Sequence, residues 1–294
     1  MTLEQLRCFC KVIETGSFRA AAEQLHRSQP AVSLQVKALE RACGQILLQR
    51  KSGAPTPAGR RLYNRAIHIL SLVESARNEL KDFDATAAQT LKAGAGDTTA
   101  LYILPKVICS FARSLPHVRV TLVNRPTDVL VDLVVKGILD LALVTLPVFH
   151  PELEQRKLFT EEIIAVAPSK HALSRRRNLS LHDLAQEPIL LLDPSTRTGM
   201  ILTQHFQQNS FHPLVTLESG SFEVLKRYVA AGLGIAFLPR IALTPADKKI
   251  ARLSVRGLPS VELGTIWRHG TYQTRAQKTF LEMVLRYANS LKKK

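Results

Sequence analysis

The chain has 294 residues, 46% of them hydrophobic and 22% charged, with 40 Lys/Arg against 24 Asp/Glu and a formal net charge of +16. That length fits a small domain plus a larger, bilobed one. No apolar run approaches the ~20 residues that span a bilayer and no leader with a cleavage site opens the chain, so the expectation is a cytoplasmic protein with no membrane partner. A basic balance favours a polyanionic partner, but residues 1 to 90 hold only 13 Lys/Arg against 8 Asp/Glu, so net charge alone does not locate the site. A local band is more informative: Arg41, Arg50, Lys51, Arg60, Arg61 and Arg65 meet no acidic residue before Glu74.

In chain order, Leu3, Leu6, Phe9 and Ile13 recur at three- and four-residue steps and predict a first helix that stops at Gly16. Ser17 offers a cap for a second helix, Phe18 to Leu25, whose Ala20, Ala21 and Ala22 let another helix cross closely. After the turn His26-Arg27-Ser28 a third helix starts, capped by the Ser28 hydroxyl, with Pro30 in the first turn where a missing N–H costs little. Val32, Val36 and Leu39 face inward. Gln29, Ser33 and Lys37 form the opposite face, with side chains suited to base edges and phosphates in a major groove. The predicted DNA-binding set is Arg27, Ser28, Gln29, Pro30, Ser33 and Lys37, joined by Arg50 and Lys51 on a basic wing. A plain connector is the alternative to the wing, because Pro55 removes a strand donor and argues against a regular hairpin.

Thr56-Pro57 is a cap followed by proline at the first helical position, and neither glycine nor proline interrupts Arg60 to Leu91. Leu62, Ala66, Ile69, Val73, Ala76, Leu80 and Phe83 alternate steps of four and three, the seam of a two-stranded coiled coil. A homodimer through a linker helix over 59–90 is the expectation; packing of the stripe on the C-terminal part of the chain is the alternative. Gly94-Ala95-Gly96 reads as a hinge after it.

From Leu91, strand-like runs alternate with helices, as βαβ units on a mostly parallel sheet do. Leu91 to Gly96, Leu101 to Ser114 (a helix), Val118 to Asn124, Asp128 to Gly137 and Asp140 to Val144 make one lobe. Ile163 to Ala167, Ile189 to Leu192, Thr198 to Gln208, Leu214 to Leu217, Phe222 to Ala231 and Ile235 to Leu238 make a second. Val261 to Trp267 returns the chain to a final helix, Thr274 to Leu291, on the first lobe. The predicted domains are 1–58, 59–90 and 91–294, with lobe I over about 91–163 and 266–294 and lobe II over about 164–265. Ligands of such sheets bind beyond the carboxyl ends of strands, near helix N-termini. That places Thr98, Thr99, Thr127, Thr145, Ser195 and Thr196 around a cleft suited to a small anion. Arg197 could add the charge, although a surface arginine is the plainer reading.

Other classes fit less well. No nucleophile-base set, phosphate-cradling glycine loop or paired carboxylates indicate an enzyme. A transported-solute receptor has no use for residues 1 to 60. Cys8, Cys10, Cys43 and Cys109 form no CxxC pair and none lies in the second lobe, which argues against a disulfide switch. His205 with His212, or Cys8 with Cys10, lacks a third partner at ligand spacing, so neither a metal nor a cofactor is expected.

Gly16-Ser17-Phe18, Ala21-Ala22, Leu25-His26, Ser28-Gln29-Pro30-Ala31-Val32-Ser33, Lys37, Leu39-Glu40 and Thr56-Pro57-Ala58-Gly59 together resemble the LysR-type transcriptional regulators. Leu104-Pro105, Phe111, Pro116, Leu139-Asp140-Leu141-Ala142 and Ala231-Gly232-Leu233-Gly234-Ile235-Ala236 extend the resemblance along the chain. It implies a winged helix-turn-helix, a long linker helix and a bilobed periplasmic-binding-protein-like (type 2) α/β effector domain. It also implies double-stranded DNA, a small-molecule effector, RNA polymerase and further copies of the chain, as a homodimer or homotetramer, for partners. Thr98, Thr99 and Thr127 are effector contacts by the same resemblance. The stretch from Arg50 to Thr56 is shorter than the family's usual wing.

Overall fold

The computed structural model describes residues 1–49, 53–82 and 89–291, and its contacts divide the chain into two units, one centred on residues 1–87 and one on the remainder. The first unit contains α1 (Leu3–Thr15), α2 (Phe18–Gln24), α3 (Gln29–Cys43) and α4 (Pro57–Lys81). Each start is capped by its own sequence. Thr2 and Gln5 form a reciprocal box, while Ser17, Ser28 and Thr56 accept from the backbone N–H groups of Ala20, Ala31 and Gly59. Leu6, Phe9, Val12, Val32, Val36 and Leu39 share one core, and the fully covered Ala21 and Ala22 join it.

After α3 the chain forms one antiparallel bridge, Leu48 to Pro55. Its hydrogen bonds run from Gln49 N–H to the Ala54 carbonyl (2.8 Å) and from Thr56 N–H to the Leu47 carbonyl (2.9 Å). Pro55 thus sits at the non-hydrogen-bonded position, where its missing N–H costs nothing, and a minimal hairpin forms in spite of the proline. Arg50 and Lys51, expected on this wing, lie outside the described residues, as does Phe83 of the expected seam.

Two further expectations are corrected here. Helix α4 ends at Lys81, short of the 59–90 expected, and the next described element begins at Gln89. Moreover, the apolar stripe is divided: Leu62, Ala66 and Ile69 pack into the first unit's own core, whereas Val73 is half-buried, Ala76 exposed and Leu80 70% exposed. Heptad spacing identifies an apolar face but not what covers it, and α1 takes the first half.

The second unit is one mixed sheet. Its strands are β1 (Gln89–Ala95), β2 (Val118–Asn124), β3 (Leu141–Leu146), β4 (Leu153–Pro168), β5 (Pro188–Leu192), β6 (Leu214–Ser219), β7 (Ile235–Pro239), β8 (Ile250–Leu253) and β9 (Ser260–Arg268). Its helices are α5 (Asp97–Tyr102), α6 (Leu104–Ser114), α7 (Thr127–Val135), α8 (Arg197–Gln208), α9 (Phe222–Ala230) and α10 (Arg275–Leu291). The strand order is β2-β1-β3-β9-β4-β7-β5-β6, with β8 also on β4. β1 runs parallel to β2 and β3, and β5 parallel to β6 and β7, while β9 and β4 are antiparallel to their neighbours.

The long strand β4 pairs with β9 from Leu153 to Glu162 and with β7 from Ile163 onward, so it carries the chain from one lobe into the other. The return occurs near Ser260 to Glu262, where β9 joins β4 and then β3, earlier than the boundary near 265 that the sequence implied. Lobe I packs α10 on α6, with Phe111 and Phe280 edge to face at 5.4 Å. Lobe II is centred on Phe206, whose ring lies 5.2 Å from Phe211 and 5.0 Å from Phe237. The single helix expected over Leu101 to Ser114 is two, α5 and α6, and Pro105 lies in the first turn of the second. Gly94 is no hinge: it lies inside β1, and a Cβ there would stand 2.6 Å from the Leu130 side chain of α7.

Candidate functional site

On the first unit, α3 turns Gln29, Ser33 and Lys37 along one side of an open groove of about 810 Å³, which Arg41, Gln45 and Gln49 extend. Gln29 and Lys37 are exposed and Ser33 half-buried, so all three side chains face outward from the Val32, Val36 and Leu39 core contacts. Glu40 also lines the groove, and its Oε1 accepts from the N–H groups of Leu47 (2.8 Å) and Leu48 (3.1 Å). That carboxylate fixes the connection to the Leu48–Pro55 bridge beside α3. Arg27 lies before the Ser28 cap and is tied to Glu4 at 3.0 Å, and Pro30 is exposed in the first turn. Arg41, Gln45 and Gln49 are groove residues beyond the expected set. Arg41 continues the four-residue step from Lys37, and that spacing is the signal that points to it.

On the second unit, a cavity of about 240 Å³ lies between the lobes and is lined from both. Thr98 and Thr99 follow the carboxyl end of β1, Thr127 opens α7, Thr145 lies near the end of β3, and Thr196 caps α8 from the opposite lobe. These five of the six expected effector residues come together. The sixth, Ser195, is exposed and does not line the cavity; its N–H instead donates to Asp193 Oδ1 at 2.7 Å. That bond holds the Asp193 carboxyl below the usual carboxylate range, so the acid stays charged and keeps the turn closed. Thr127 Oγ1 accepts from the Thr145 N–H at 3.4 Å, which links the start of α7 to β3.

The cavity also contains Arg125, Thr198, Phe222 and Arg197, of which the sequence pattern suggests only Arg197. Arg197 is the first residue of α8, and its Nη2 reaches Asp128 Oδ1 of α7 at 2.7 Å, an ion pair from lobe to lobe. Spacing along the chain does not reveal this pair, because its partners are 69 residues apart.

A second polar cluster links the lobes. Lys226 on α9, only 5% exposed, donates to the Ala242 carbonyl (2.8 Å), Glu223 (3.0 Å) and the Tyr102 hydroxyl (3.2 Å), and forms an ion pair with Asp247 (3.1 Å). Tyr102, from α5, also donates to Glu223. Burial pushes the Asp247 carboxyl up, but bonds from Thr244 and Lys226 outweigh it and leave the group below its ordinary value. Buried Lys226 is therefore matched by acceptors, as a buried cation must be.

Cys8 and Cys10 do not show the chemistry of reactive cysteines. Burial pushes Cys10 up to about 12 and raises Cys8, which disfavours the thiolate. Among the described residues no group of His, Cys, Asp and Glu could hold a metal ion, and no helix is long and apolar enough to cross a membrane.

A helix-turn-helix unit with a polar groove along its third helix, together with a bilobed α/β unit enclosing a cleft, defines a ligand-responsive DNA-binding regulator. Comparison with known proteins agrees. Residues 3–60 match the bacterial regulatory helix-turn-helix protein family model of the lysR family, and residues 84–289 match the LysR substrate binding domain. The HTH-type transcriptional regulator CfxR of Cupriavidus necator is 31% identical over 263 residues, covering 88% of this chain and 83% of that protein. Among solved structures, a full-length OxyR variant from Pseudomonas aeruginosa is similar with a TM-score of 0.76 and 25% identity, covering 98% of this chain and 95% of that one. Full-length CbnR complexed with its target DNA is similar in fold, with a TM-score of 0.68 and 23% identity over 98% of this chain and 100% of that one. The chain belongs to the LysR family of bacterial transcriptional regulators. It is a DNA-binding protein, modulated by a small effector, and not an enzyme.

Proposed function

We propose that the effector occupies the cleft between the lobes, in contact with Thr98, Thr99, Thr127, Thr145 and Thr196, and that it is a small anion. The observation that carries this reading is the meeting of these hydroxyls in one cavity with the first turns of α7 and α8, from opposite lobes. Free N–H groups at helix starts and short hydroxyls suit carboxylate or phosphate oxygens.

At the other unit, Gln29 and Ser33 read base edges while Lys37, with Arg27 and the Ser28-Pro30 turn, holds the backbone; Arg50 and Lys51 add phosphate contacts from the wing. One reading helix covers only a few base pairs, so two copies bind paired half-sites. The half-stripe of Val73, Ala76 and Leu80 is available for that pairing. The working assembly is a dimer or a tetramer, acting in the cytoplasm on RNA polymerase at a nearby promoter.

The cleft reading is tested by thermal shift of the full chain against a panel of small carboxylates, phosphorylated acids and neutral sugars, because a ligand that binds only the folded state raises its stability. Hits should come from the anions, and the double change Thr98→Val with Thr99→Val should abolish them while operator binding stays measurable. Hits unaffected by the double change would place the effector elsewhere.

A further inference from the structure

The ion pair that crosses the cleft is unequal, and the inequality carries a mechanism. Asp128 is well solvated, with 69% of its side chain exposed, whereas the Arg197 side chain is 25% exposed and its Nε is buried without a hydrogen-bond partner among the described residues. A guanidinium offers five N–H donors in a planar fork and is matched best by two oxygens at once. Here Nη2 meets Asp128 Oδ1 at 2.7 Å while Nε stays unmatched. Asp128 can return to water at little cost, since exposed ion pairs contribute little. A buried donor left unpaired is the costlier state.

Both partners are held in place. Thr196 donates through its N–H (2.9 Å) and its hydroxyl (2.7 Å) to the Asp193 carbonyl, and a Cβ at Gly199 would stand 2.2 Å from that same oxygen, so the start of α8 is seated tightly on the end of β5. Asp128 lies in the first turn of α7. Among the described residues, the charged groups lining the cavity are Arg197, Arg125 and Asp97, and Asp128 reaches Arg197 from just outside that lining.

We propose that Arg197 selects the charge of the effector, and that Asp128 is its internal competitor. The inference rests on the cleft being the effector site. An entering carboxylate or phosphate takes the guanidinium from Asp128 through its terminal nitrogens. The aspartate lets go, and the contact between the lobes is replaced by one that runs through the ligand. Effector affinity is thereby set against an acid built into the opposite lobe, and occupancy is coupled to the spacing of α7 and α8.

The test is isothermal titration of the full chain with inorganic phosphate, malonate and, as the neutral probe, glycerol. Asp128→Asn should tighten binding of either anion, by up to about tenfold, because the competitor's charge is gone while its shape remains. Arg197→Gln should weaken anion binding by about ten- to a hundredfold, the worth of hydrogen bonds to a charged group, and Arg197→Lys should recover only part of it. Glycerol should respond to none of these changes.

Anion affinity unchanged in Arg197→Gln overturns the proposal, as does Asp128→Asn weakening it as much as Arg197→Gln does. Absence of anion binding by both the wild type and Asp128→Asn overturns it too. Should Arg197→Gln fail to fold, Asp128→Asn and Arg197→Lys still decide. The Thr98→Val with Thr99→Val chain separates the two readings. If it loses anion binding while Arg197→Gln keeps it, the cleft stands and the role of Arg197 falls; if neither change matters, the anions bind elsewhere and both fall.

Discussion

The groove along α3 and the cleft between the lobes are built by opposite means. Gln29, Ser33 and Lys37 lie on three consecutive turns of one helix, and their common direction follows from a four-residue step and a serine cap. The cleft draws on strands and the starts of helices between Gly96 and Leu263, and it exists only because β4 carries the chain into a second lobe. A site of the first kind is specified by neighbours along the chain. A site of the second kind depends on how distant elements are joined, so changes far from its lining should reach it.

Removing a distant link puts that contrast under the greatest strain. Lys226→Met leaves Asp247 and Glu223 without their cation and removes one of the two bonds that tie Tyr102 to α9, and should lower stability by about 3 kcal/mol, the lower end for breaking a largely buried ion pair. Chemical denaturation of the full chain checks it. A loss below about 1 kcal/mol would mean that the lobes do not depend on this cluster.

A smaller and more selective effect should follow at the groove. Gln29→Ala should cost about 1–3 kcal/mol on the preferred operator and much less on one altered at the contacted base pair. Lys37→Ala should instead weaken every sequence alike and reduce the salt dependence by about one counterion. Quantitative footprinting on both operators separates the two, and equal losses on both sequences for Gln29→Ala would remove it as a base reader.

The smallest effect is expected where the lobes join. Glu161, only 9% exposed, accepts from the Ile241 N–H at 2.7 Å, and burial raises its carboxyl pKa above the ordinary value. Because the folded chain binds this proton more tightly than the unfolded one, the charged carboxylate works against folding above the raised pKa, and the penalty fades as pH falls through it. Glu161→Gln should therefore be more stable than the wild type at neutral pH, with the gap closing in acid. Melting curves across that range would contradict this if the gap widened towards low pH.

What can be read in the residues follows the same division. The helix starts at Ser17, Ser28 and Thr56, the stop at Gly16 and the outward face of α3 are all local, and the structure places them where the pattern predicts. Five threonines can be placed around a cleft because each lies at a strand end or helix start, a position recognisable from pattern alone. Ser195 departs from the set because a residue before a helix can turn its N–H back to the preceding acid. Pro55 is a weak argument against the hairpin because a proline is harmless wherever its strand position needs no donor.

The starts and caps of the first unit's helices and the outward face of α3 were thus written in the chain, since these depend on backbone hydrogen bonds and apolar spacing within a few residues. Which partner covers each apolar face was settled by tertiary packing, as when Leu62, Ala66 and Ile69 of the expected seam joined the first unit's own core. So was the meeting of charges, as Arg197 meets Asp128. Those outcomes depend on closing loops of tens of residues, whose cost and direction are set by the whole fold and leave no periodic trace in the chain.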